Sequence, residues 1–131
     1  MMTCSVLHYT QLLCNALEHD FMNYTIVSHN RSIQKGENVE HHNRKLQEIA
    51  EGIARLYRYV IVEGKRYFKV VMLTESSSQS VHCFVDKVTG DVYKSASWRS
   101  PAKGVRYSLL DDDSREQCFA NADWAGGYLY A

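Results

Sequence analysis

Long apolar runs are missing from this chain. Its apolar stretches last only a few residues, and the amino terminus lacks the basic flank, apolar segment and cleavage signal of a leader. The expectation is a cytosolic protein with no membrane partner. Close cysteine pairs are missing as well: Cys4, Cys14, Cys83 and Cys118 are scattered, without a C-x-x-C. That spacing argues against a disulfide scaffold or a zinc finger and favours reduced, half-buried thiols. A structural zinc would have to gather cysteines and histidines from distant parts of the chain. Net charge is absent too, with 15 basic and 15 acidic residues, which argues against indiscriminate nucleic-acid binding.

Catalytic signatures are equally scarce. There is no G-x-S-x-G elbow, no phosphate-cradling G-x-x-x-x-G-K and no G-x-G-x-x-G after a strand. The run Asp111-Asp112-Asp113 lacks the alternating ligands and distal glutamate of a calcium loop, and reads as an acidic turn or helix start. His41 and His42 are neighbours in a helical first turn, where side chains diverge by roughly a hundred degrees and do not readily share an ion. His82 and Cys83, as strand neighbours, are expected to face opposite ways and form no dyad. No cofactor and no metal are expected, and an enzyme is the less favoured reading.

What is present fits one domain of 131 residues, an α+β chain. Residues 1–56 read as a helical half. The first helix spans about Cys4 to Tyr24, with Thr3 as its cap and an apolar stripe of Val6, Tyr9, Leu13, Ala16, Leu17, Phe21 and Tyr24. Residues 25–38 read as a connection, with a short edge strand at 24–27. A second helix runs from Val39 to about Leu56, capped by Asn38, its Gly52 suggesting close packing. Residues 57–96 then switch to strand formers and give a four-stranded antiparallel meander, Tyr57–Val62, Tyr67–Leu73, Val81–Val85 and Val92–Ala96. Asp86 to Asp91 supplies a turn with Gly90 left-handed. Two amphipathic helices are expected to cover one face of this sheet.

Residues 97–131 read as a basic arm followed by an aromatic segment. Ser114 to Ala122 is expected to be a short helix capped by Asp113, and Trp124, Tyr128, Leu129 and Tyr130 to dock on the body or on a second copy. The charge is unevenly laid out. Residues 1–43, 44–106 and 107–131 carry −2, +6 and −4, so a basic block lies between acidic ends. Within that block Arg58, Lys65, Arg66, Tyr67, Lys69 and Tyr93 interleave basic and aromatic groups on the strands. The arm adds an indole and more cations, and Lys87, Lys94, Trp98, Arg99, Lys103 and Arg106 are the candidate binding residues. Such groups hold phosphates and stack on bases, and they also keep exposed strands from pairing. An exposed Trp98 beside Arg99 and Lys103 favours a contact role, whereas a buried one makes the arm structural.

The string Phe84-Val85-Asp86-Lys87-Val88-Thr89-Gly90-Asp91-Val92-Tyr93-Lys94, with Ala96-Ser97-Trp98 and Pro101-Ala102-Lys103-Gly104-Val105-Arg106, resembles a motif of small, largely uncharacterised proteins encoded by bacteriophages. The resemblance covers about a fifth of the chain. Those proteins commonly carry proline before the Ala-Ser-Trp, where this chain has Ser95. The resemblance implies a phage origin and a domain ending in a hairpin followed by a lysine-rich arm, and it brings no catalytic residues; the expected location is the host-cell cytoplasm, with the virion as the alternative. Two functions follow as expectations. One is a non-enzymatic protein that binds a host or phage protein, or nucleic acid, in takeover, counter-defence or nucleic-acid handling. The other is a virion or assembly component, a homo-oligomer built through the sheet edge and the aromatic carboxyl end.

Overall fold

Leu13 and Leu17 lie one turn apart, and with Val6, Thr10 and Cys14 they form a row with no exposed surface on the longest element of the chain. The computed structural model describes residues 2–130, with side chains from Ser5 to Tyr130. The row belongs to helix α1, Met2–Gln34. Thr10 survives in the core because its hydroxyl donates to the Val6 carbonyl at 2.7 Å. Thr3 lies within α1 rather than ahead of it, and its side chain is outside the described residues. No helix among the described residues is long and apolar enough to cross a membrane.

α1 runs straight through the expected edge strand at 24–27 and most of the expected connection, which shrinks to the turn at residues 35–38. β-Branched residues weaken helices only slightly, and Thr25 satisfies its hydroxyl within the helix by donating to the Phe21 carbonyl at 2.9 Å. The second half of α1 is held by helix α2, Val39–Ala50, which folds back on it as a hairpin. α2 has no buried residue and packs chiefly on α1, so it does not cover the sheet as expected. It also stops earlier. Gly52 takes φ +76°, and the amides of Gly52 and Ile53 donate to the carbonyls of Ile49 and Glu48, closing the helix end. Gly52 therefore terminates α2 rather than packing inside it, and its Cβ position is open. Asn38 stands before α2 with φ 46° and makes no side-chain cap bond.

Five strands follow among the described residues, not four: β1 Arg58–Glu63, β2 Tyr67–Leu73, β3 Gln79–Asp86, β4 Asp91–Lys94 and β5 Tyr107–Ser108, antiparallel and in sequential order. The expected arm leaves the sheet only briefly. Ser95 bridges to Pro101, Ala102 and Arg106 donate to the carbonyls of Lys94 and Val92 at 2.7 Å each, and Tyr107 pairs with Val92. A third helix, α3, spans Asp112–Asn121. Its cap is Asp111 rather than Asp113, with the Asp111 carboxylate accepting from Ser114 N–H at 3.2 Å.

The inner face of the sheet carries Tyr59, Phe68, Val70, Cys83, Val85 and Val92, which share one core with α1, Leu109, Cys118 and Leu129. α1, α3 and the carboxyl-terminal segment cover it. Between β2 and β3 the register slips: Val70 faces Cys83 but Val71 faces Val81, leaving His82 without an opposite residue. This bulge turns His82 toward the inner face as well, against the edge of Tyr59 at 5.4 Å. His82 and Cys83 thus share a face, which simple alternation did not allow.

The turn between β3 and β4 forms as read. Asp86 accepts from the amides of Val88 and Thr89 at 2.8 and 3.0 Å, and Gly90 has φ +75°. A Cβ on Gly90 would meet Leu110 Cγ at 3.0 Å. Gly90→Ala combines a left-handed penalty of about 1–2 kcal/mol with that clash. Urea unfolding is expected to show a loss of about 2 kcal/mol, and an unchanged midpoint would refute this account of the turn.

Candidate binding face

Among the described residues no helix covers the other side of the sheet. Register builds a row across four strands there: Val62 faces Lys69, Lys69 faces Phe84, and Phe84 faces Tyr93. Phe84, only 2% exposed, forms the floor. Tyr67 stands edge-on to Phe84 and Tyr93 at 5.7 and 6.0 Å, and the Arg66 guanidinium lies 5.1 Å from the Tyr67 ring. The loop after β4 presents Trp98 over this row. Ser97 Oγ accepts from the amides of Arg99 and Ser100, so the tight loop holds the indole out, 46% exposed. The Lys69 ammonium sits 4.4 Å from its centroid. A shallow hollow of about 210 Å³ opens beside them, among Lys65, Arg66, Lys69, Phe84 and Arg99.

Asp86 is the buried acid at the end of this face. Burial pushes its carboxyl up, but the Thr89 and Val88 amides and the Arg66 guanidinium outweigh that and hold it below the ordinary range. Its Oδ2 lies 3.4 Å from Arg66 Nε, so part of the Arg66 charge is compensated. Lys65, Lys69 and Arg99 have no such partner among the described ion pairs.

The six candidate residues do not gather in one place. Trp98 and Arg99 stand at the open face, and Lys103 is exposed farther along the same loop. Lys87 pairs with Glu63, donates to the Gly64 carbonyl at 3.1 Å and covers Phe68, which ties the turn to the β1–β2 hairpin. Lys94 lies over Tyr130 at 4.8 Å. Arg106 donates to the carbonyls of Leu129, Lys103 and Gly104. Lys94 and Arg106 thus clasp the carboxyl-terminal segment. Lys69, the cation closest to Trp98, was visible only as one of the interleaved basic residues, and its spacing from Tyr67 on the same strand face was the signal that could have singled it out.

Elsewhere the chemistry is quiet. Burial pushes the thiols of Cys14 and Cys118 up to about 12 and that of Cys83 well above its ordinary value, so all three are buried, protonated and poor nucleophiles. These three are fully rather than half buried, and the side chain of Cys4 lies outside the described residues. Among the described residues no group of three or more His, Cys, Asp or Glu side chains is arranged to hold a metal ion. Asp112 of the acidic run pairs with Arg115 at 2.7 Å. A cleft of about 520 Å³ separates the helical hairpin from residues 53–57, with Phe21, His29, Lys45, Glu48 and Glu75 on its walls. Inside it Phe21 stacks on Tyr57 at 4.1 Å.

No curated protein and no solved structure matches the chain. A match along the whole length, residues 1–131, shows instead that the chain belongs to a family of unknown function, DUF7717.

Proposed function

We propose that the protein is a non-enzymatic binding protein, and that its uncovered sheet face with the Trp98 loop holds a single-stranded nucleic acid. The observation that carries this reading is the half-exposed indole with a lysine ammonium 4.4 Å from its centroid, above an aromatic row flanked by Arg66 and Arg99. Such a surface offers one base a stacking platform and neighbouring phosphates their counter-charges. The buried, protonated thiols supply no competing nucleophilic chemistry. On the resemblance to phage proteins, the partner is of host or phage origin, met in the host cytoplasm.

Stacking on one aromatic contributes about 1–3 kcal/mol, so Trp98→Ala is expected to weaken binding of a short oligonucleotide roughly 5- to 150-fold. Lys69→Glu with Arg99→Glu should abolish it and flatten the salt dependence. Fluorescence anisotropy at two salt concentrations reads both effects. Wild-type protein that binds neither DNA nor RNA strands, or binding indifferent to these changes, overturns the reading.

A self-assembling role draws on one feature, the aliphatic run Val60-Ile61-Val62 on edge strand β1. Two features weigh against it. Glu18 Oε2 already accepts from the Tyr59 amide at that edge at 2.9 Å, and Trp124, Tyr128 and Leu129 pack on the protein's own core. Light scattering separates the two roles, since an oligomer that persists at high salt and ignores nucleic acid would favour assembly.

A further inference from the structure

We propose that His29 of α1 and His42 of α2 form a two-imidazole site for a borderline divalent transition cation such as Zn²⁺ or Ni²⁺, which staples the helical hairpin. The two Nδ1 atoms face each other at 2.7 Å across the helix pair, in a half-buried position with the ring centroids 4.9 Å apart. Two imidazole nitrogens pointed at each other have only one way to hold together without an ion: one Nδ1 keeps its proton and donates, and the other accepts. A cation between them removes that constraint, because both lone pairs then point at the same positive centre.

The geometry asks for little movement. Zinc takes imidazole nitrogen at about 2.0–2.1 Å, so two such ligands in a tetrahedral set stand roughly 3.3 Å apart, and the rings must part by about half an ångström. α2 can give that much, since none of its residues is buried and it rests chiefly on α1. Imidazole is a ligand that suits zinc, nickel and copper and does not attract magnesium or calcium. No third His, Cys, Asp or Glu completes the set among the described residues, so water fills the remaining positions and the affinity is that of two imidazoles. Lys45 lies on the same cleft and carries like charge, but its ammonium is drawn to Glu48 at 3.6 Å. His41 lies beside His42 on the chain, and its ring sits 5.1 Å from that of His42 at a steep angle, whereas the Nδ1 of His42 is turned to His29.

What the cation would do follows from where it sits. It would join two helices that have no buried residue beyond Leu17 between them, and it would fix the wall of the cleft formed by Thr25, His29 and Ile49. The test is titration of the full chain with Zn²⁺, then Ni²⁺, read by histidine-ring NMR for the site and by amide hydrogen exchange for α2. The expected result is movement of the His29 and His42 resonances at cation concentrations that leave His8 and His19 in place. Exchange in α2 should slow at least tenfold, the slowing should reverse with chelator, and Mg²⁺ should have no effect. His42→Gln, a half-buried change that keeps a polar side chain, should remove the slowing, while His41→Gln should keep it. Equal movement of all histidine resonances, or slowing that persists in His42→Gln, overturns the proposal.

Discussion

Lowering the pH from 7 to 4 is expected to cost the wild-type fold about 3 kcal/mol that His82→Gln does not lose. Burial lowers the pKa of His82 to about 4, against a weaker opposing pull from the Asp123 carboxylate. The unfolded chain takes up this proton near the ordinary value of 6.5, so at lower pH it binds more protons than the folded chain. Stability contributed by the neutral ring is therefore fully present above about 6.5 and is lost progressively down to about 4. A shift of that size corresponds to about 3 kcal/mol at 1.36 kcal/mol per pH unit. The ring lies against Tyr59, stacks on Tyr128 and holds its Nε2 at 2.8 Å from the Tyr128 hydroxyl. Glutamine can keep that hydroxyl partnered without titrating. Urea denaturation at pH 7, 5.5 and 4 checks the difference, and parallel pH profiles for the two proteins would count against it.

Removing residues 123–131 should have the larger effect, loss of the cooperative fold. Leu129 is 1% exposed in the core, and Trp124 packs on the same cluster. Their removal leaves Tyr59 and His82 facing water and strips Asp20 of the Trp124 amide that it accepts from at 2.9 Å. The Tyr59 hydroxyl loses the Trp124 carbonyl, and Arg106 loses that of Leu129. A leucine deletion alone, Leu129→Ala, should cost about 2–5 kcal/mol by the usual cavity argument. The truncated chain is expected to keep far-ultraviolet helix signal, lose near-ultraviolet aromatic signal and bind a hydrophobic dye. A sharp thermal transition in the truncated protein would show that this segment is decoration rather than core.

Both predictions rest on features that local pattern could only partly disclose. The row from Val6 to Leu17 was legible because helical spacing places those residues on one face, and the four longer strands because their residue types change abruptly at Tyr57. The turn at Gly90 was legible from its chemistry. β5 was not, since two residues, Tyr107 and Ser108, carry no alternation and follow a segment with Pro101 and Gly104. The second half of α1 was hidden by Thr25, Ile26 and Val27, whose strand preference yields to packing against α2. The bulge at His82 was hidden because a register slip is a property of two strands, not of one. On the uncovered sheet face the indole and Arg99 stand together as their sequence neighbourhood suggests, while Lys87, Lys94 and Arg106 carried the same charge label into different tasks.

The tie between Asp20 and Trp124 also sets an order of events. The sheet is a meander whose pairings join neighbours in the chain, so it can form early and locally. Its cover is made of α1, which is synthesised before the strands, and of α3 and residues 122–130, which follow them, Trp124 coming more than a hundred positions after Asp20. A nascent chain therefore holds α1 and the inner sheet face ready, with Tyr59 and His82 still open to water, until the carboxyl-terminal segment emerges to close them. Chains stalled before Trp124 should be the ones that chaperones retain.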